Sequence, residues 1–145
     1  MVADKGDPGV GHALRADGPQ PDRPSGRIAE ASLRLRVRRL IDAFNGPFGK
    51  IVAGLIAEGQ REPRILQQFF DRWVSPRRTA TIDELQRAKN AGELQSEAEP
   101  ELLIDAIFGA IYYRLLLRSG PLTRRFGEEL VQQVIHGHRS GNVRS

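Results

Sequence analysis

"LLIDAIFGAIYYRLLLRSGPL", Leu102 to Leu122, decides how this chain must fold. From Leu102 to Leu117 only Asp105 and Arg114 carry charge. At 100° per residue, Leu103, Ile107, Ala110 and Leu117 form one strip of a helix and Ile104, Phe108, Ile111 and Leu115 the next. Leu102, Ala106, Tyr113 and Leu116 form a third, so no polar face is left for water. A helix that is apolar all round is buried all round. It is either the centre of its own bundle or a helix that also meets a partner subunit. Four other helices in so small a domain do not easily wrap it, and a symmetric homodimer is the commonest solution. Sixteen residues with two charges fall short of the ~20 apolar residues that cross a bilayer, so protein rather than lipid is the expected cover.

The flanking sequence reads as further helices. Leu33, Val37, Leu40, Ile41 and Phe44 fall on one helical side, and "NGP" at 45–47 predicts a left-handed C-cap before a proline that cannot continue the helix. Pro47 then opens a helix with Phe48, Ile51, Val52, Leu55 and Ile56, and Pro63 opens a third with Ile65, Leu66, Phe69, Phe70, Trp73 and Val74. Pro76 should kink or interrupt that segment, which resumes through Ile82, Leu85 and Ala88 to Gly92 as C-cap. "SEAEPE" at 96–101 is a helix entry with Pro100 in the first turn, and that helix closes at "SGP" after Arg118. Thr123 caps a last helix carrying Phe126, Leu130, Val131, Val134 and Ile135. No segment shows a strand period. The expectation is an all-α antiparallel bundle of five helices, six if Pro76 breaks the third.

At 145 residues and 39% hydrophobic the chain suits one domain. Residues 1–25 hold four Gly, four Pro, four Asp and few large apolar side chains, which predicts a disordered tail or linker. The helical domain then spans 26–137, with 138–145 as a flexible end. No cysteine is present, closing off disulfides and thiolate chemistry and favouring a reducing, cytoplasmic home. The first twenty residues lack the basic start and apolar block of a secretory signal.

Three blocks together resemble the C-terminal domain of tetracycline-repressor-like (TetR/AcrR) transcriptional regulators. They are "FGKIVAGLIAEGQREPRILQQFFDRWVSPRR", "AKNAGELQSEAEPELL" and "LLIDAIFGAIYYRLLLRSGPLTRRFGEELVQQVIHG", covering roughly Ser25 to Gly137. The resemblance implies an all-helical domain that binds a small effector in its core and dimerises through its last two long helices, here Glu101 to Arg118 and Thr123 to Ile135. Ile107, Ile111, Arg114, Leu115, Phe126, Leu130 and Val134 become candidate dimer contacts. The family also begins with a helix-turn-helix domain of about fifty residues that reads DNA. Residues 1–25 cannot form three packed helices, so operator binding by this chain is not expected. A truncated product, a shifted reading frame and a stand-alone ligand-binding or sequestering module all fit.

An apolar effector pocket would draw on the aromatic residues Phe44, Phe48, Phe69, Phe70, Trp73, Tyr112 and Tyr113, since such pockets are mostly apolar with a few polar anchors. Plain core is the competing use of an aromatic stripe. The tyrosines are the better candidates, because a buried hydroxyl needs a polar partner. Asp105 and Arg114 are nine residues apart and cannot pair within one helix; across an antiparallel mate they could. Exposure at the bundle edge is the simpler alternative. Arg34, Arg36, Arg38 and Arg39 spread around their helix and read first as a solvated face, with a phosphate-contacting strip or contact with a DNA-binding domain as the alternatives.

The net charge of +4 admits one alternative, a basic helical protein associated with nucleic acid. His136 and His138 without an acidic or thiol companion are not a metal site. No nucleophile triad, phosphate loop or paired carboxylates can be identified, so neither catalysis nor a cofactor is expected.

Overall fold

The computed structural model describes residues 25–137, with side chains from Ile28 onward, and its regular elements are all helical. They are α1 (Ser25–Phe44), α2 (Pro47–Arg61), α3 (Pro63–Phe69), a π-helical turn (Phe70–Val74), α4 (Ser75–Asn90), α5 (Pro100–Leu117) and α6 (Arg124–Gly137). The expected tail and flexible C-terminus lie outside the described residues, save Ser25, which opens α1.

α1 is the helix the others gather round. It packs on α6, α4, α2 and α5. Its stripe Ala29, Leu33, Val37, Ile41 and Phe44 is buried in one continuous core with Val52, Leu85, Leu103, Ile107, Ile111, Val131 and Ile135. α6 runs antiparallel to α1, since Arg34 pairs with Glu128 and Asp42 with Arg124. Their backbones come close because Gly127 has no Cβ; one placed there would meet Ile41 Cδ1 at 2.7 Å and Val37 Cγ1 at 2.8 Å. α2 leaves α1 at 87°, packed so tightly that a Cβ on Gly49 would strike the Phe44 carbonyl.

One sequence expectation needs correction. Gly46 takes an extended conformation (φ −100°, ψ −167°), not a left-handed one; Asn45 instead donates its side-chain amide to the Leu122 carbonyl at 2.8 Å, tying the α1 end to the α5–α6 loop. Pro76 interrupts the α-helical segment, as expected of it, without ending the helix. Lacking an N–H and crowding the carbonyl one turn back, it is accommodated by the π-helical turn before it, in which the Ser75 N–H reaches the Phe70 carbonyl, and helix continues from Pro63 to Asn90. Of the two alternatives for the apolar helix, α5 is not the enclosed centre of its own bundle: α4, α6 and α1 cover one side, and Leu102, Tyr113, Leu116 and Leu117 stay exposed.

The other boundaries follow their local chemistry. Gly92 (φ +81°) closes α4 in a Schellman motif, with Glu93 N–H on the Ala88 carbonyl and Gly92 N–H on that of Lys89. Arg118, not a glycine, takes the left-handed position (φ 55°) ending α5. Thr123 Oγ1 accepts the Phe126 N–H at 3.0 Å, the N-cap contact expected of it.

Candidate effector cavity and the outer face of α5

α1 has a second inward stripe beside its core stripe. Ser32, Leu35, Arg36, Arg39, Leu40 and Ala43 face a cavity of about 370 Å³. The opposite wall is Trp73, Val74, Arg77, Arg78 and Thr81, from the π-turn and the start of α4, in the i, i+1, i+4, i+5, i+8 spacing of one helix side. Ile104, Phe108 and Tyr112, four apart along α5, form the third wall. The volume lies within the range that accepts small ligands.

The aromatic end is a stack held from behind. Tyr112 meets Phe44 edge-on at 5.2 Å, Phe48 packs edge-on against Trp73 at 4.9 Å, and Phe44 and Phe48 lie 6.3 Å apart. Burial pushes the Tyr112 phenol above its ordinary value, outweighing a hydrogen bond from Trp73 and the charge of Arg77. The phenol is therefore a neutral donor and acceptor at the cavity wall.

Four guanidinium groups share the lining. Arg77 lies over the Trp73 ring, 3.7 Å from its centroid, and donates to the Trp73 carbonyl at 2.9 Å. Arg78 pairs with Asp105 at 2.8 Å. Arg36 is largely buried and faces Glu84 at 3.4 Å, with Ser32 Oγ donating to the same carboxylate oxygen at 3.2 Å. Arg36 Nε and Glu84 Oε1 are buried without a hydrogen-bond partner among the described residues. Arg39 is exposed at the rim and forms no ion pair among the described residues.

Of the seven aromatic candidates, Trp73 and Tyr112 line this cavity. Phe44 and Phe48 back it as core, Phe69 packs on the core cluster, and Phe70 and Tyr113 point outward. The arginine run is likewise divided. Arg38 is solvated, Arg34 bonds Glu30 and Glu128, and Arg36 and Arg39 turn to the cavity. Their spacing of three puts both on one side of α1, the signal for this placement in the sequence.

α5 turns a second apolar face outward. Leu102, Ala106, Gly109, Tyr113 and Leu116 are exposed at spacings of four, three, four and three, with Leu117 beside them. Leu102 is 64%, Tyr113 57%, Leu116 40% and Leu117 61% exposed. Such a seam is the period on which two helices pack side by side, and open space surrounds Gly109 at its centre. The candidate contacts named from the sequence sit elsewhere. Ile107 and Ile111 are wholly inside the chain's own core (0% exposed), and Leu115, Phe126, Leu130 and Val134 are half-buried against it. Arg114 stacks over Phe126 at 3.7 Å and donates to the Pro121 carbonyl at 2.8 Å, while Asp105 is taken by Arg78. Both charges thus find partners within the chain, and the pairing envisaged across a symmetry mate is not needed. His138 lies outside the described residues.

Among the described residues no single helix is long and apolar enough to cross a membrane. Comparison with known proteins fits this architecture. The family model described as "Tetracyclin repressor-like, C-terminal domain" matches residues 25–134. The uncharacterized HTH-type transcriptional regulator YdeS of Bacillus subtilis (strain 168) is 29% identical over 89 residues, 61% of this chain and 45% of that protein. The crystal structure of the TetR family transcription regulator SCO0332 superposes with a TM-score of 0.69 at 25% identity, over 74% of this chain and 60% of that one. The chain thus spans less than two thirds of the length of either relative. With an all-helical fold and a family model covering most of its length, the chain belongs to the TetR family of transcriptional regulators, as a tetracycline-repressor-like C-terminal domain.

Proposed function

We propose that this chain senses a small effector in the cavity between α1, α4 and α5, and pairs with a second copy through the outer face of α5 together with α6. The cavity carries the proposal. It combines an apolar body, aromatic at the Trp73–Tyr112 end, with a few polar anchors, the composition of a small-molecule site. α5 belongs to both features, contributing Ile104, Phe108 and Tyr112 to the cavity and Leu102, Tyr113 and Leu116 to the outer face. A ligand that shifts α5 would move the face offered to the partner, the coupling an allosteric regulator requires. This reading assigns DNA recognition to no residue of the matched region.

The test is a thermal-shift screen of small amphipathic compounds against the wild type and Ala43→Phe, which fills the cavity from α1. Stabilisers of the wild type that leave a helical Ala43→Phe protein unmoved are the expected result. Stabilisation that survives in the filled variant places binding elsewhere and rejects the site.

A further inference from the structure

We infer that the ligand of this cavity is an amphipathic organic anion, a carboxylate or similar acid on an apolar chain or ring, with its charge held by Arg39 and Arg77. The inference rests on the reading of the cavity as an effector site. Charge accounting on the lining carries it. Of four guanidinium groups, Arg36 faces Glu84 and Arg78 pairs with Asp105. Arg77 has neutral partners, the Trp73 carbonyl and ring face, and Arg39 forms no ion pair among the described residues. The wall therefore holds two cations that no acid of the described chain neutralises.

A neutral apolar guest would strip water from half-buried Arg77 and return nothing, which is unfavourable, and would leave Arg39 at the rim unused. A carboxylate would instead accept charge-assisted hydrogen bonds from a planar guanidinium fork. Stacking on Trp73 fixes the plane of Arg77 before a ligand arrives, so little side-chain freedom is lost on binding. The apolar remainder of such a ligand fits against Leu40, Ile104 and Phe108.

Calorimetric titration of the whole chain with 4-phenylbutyrate and octanoate, each against its own primary amide, tests this. The amides keep the carbon skeleton and polar atoms while removing the charge. Each acid should bind about tenfold more tightly than its amide or better. In Arg39→Gln and Arg77→Gln the preference should shrink to about threefold or less, with amide affinity unchanged. Arg39 is exposed, so its variant keeps the fold even if Arg77→Gln does not. Amides that bind as tightly as the acids overturn the anionic ligand while leaving the cavity as a site. Failure of all four probes to bind overturns both readings.

Discussion

Replacing Tyr113 and Leu116 together by glutamate should convert the protein from dimer to monomer without unfolding it. Both side chains stand on the exposed seam of α5, and their exposed fractions together amount to nearly one whole large apolar side chain per protomer. Burying one such side chain is worth roughly 1.5–3 kcal/mol, so a symmetric pair loses roughly 3–6 kcal/mol when both copies are changed. At 1.4 kcal/mol per factor of ten, the dimer dissociation constant rises about 10²–10⁴-fold. Desolvating the introduced carboxylates at the interface adds to this. Glutamate is a good helix former, so α5 should persist and the protomer should keep its helical signal.

Sedimentation equilibrium at micromolar concentration reads the result. The wild type should have dimer mass, and the Tyr113→Glu/Leu116→Glu protein monomer mass with an unchanged far-ultraviolet spectrum. Ile111→Ala separates this from core damage: Ile111 is fully buried, so its truncation should lower stability by about 2–5 kcal/mol without directly removing an interface contact. A wild type of monomer mass, or a double variant that keeps dimer mass, would refute the assignment of the α5 seam.

Two further predictions concern the frame that holds the cavity. Gly49→Ala should destabilise the protein by about 2–3 kcal/mol in urea unfolding, because the added methyl meets the Phe44 carbonyl, which cannot rotate away. The Arg124 guanidinium, through its hydrogen bonds to Asp42, holds that carboxyl below the usual carboxylate range. A depressed folded-state value stabilises above the unfolded value of about 3.9 and is lost as pH falls through the folded one. Melting temperatures of wild type and Asp42→Asn should therefore differ slightly at neutral pH and converge below about pH 4; a gap that widens in acid contradicts the pairing.

Local signals in the sequence marked most of the helix limits. Pro47, Pro63 and Pro100 open helices, Thr123 caps one and Gly92 closes one, since each acts through its own backbone chemistry. The Pro76 outcome was less legible, because whether a helix breaks or widens depends on the packing on both sides of it. The cavity was half legible. Trp73 and Tyr112 stood out as aromatic residues, but Phe44 and Phe48 share their periodicity and became the backing layer. Arg78 and Asp105 are 27 residues apart, and nothing local announces their pairing. On a helix apolar all round nothing local separates Ile107 and Ile111 from a contact surface; packing with α4, α6 and α1 buries them, and the exposed seam runs through Leu102 and Tyr113.

Hydrogen–deuterium exchange of the protein with and without saturating 4-phenylbutyrate tests the effector cavity most directly. Added protection should appear together in three segments distant in sequence, 32–43, 73–81 and 104–112, the walls of the cavity. The solvent side of α2 and α3, 54–68, should stay unchanged. Protection confined to 54–68, or spread evenly over all helices, would contradict a ligand site between α1, α4 and α5.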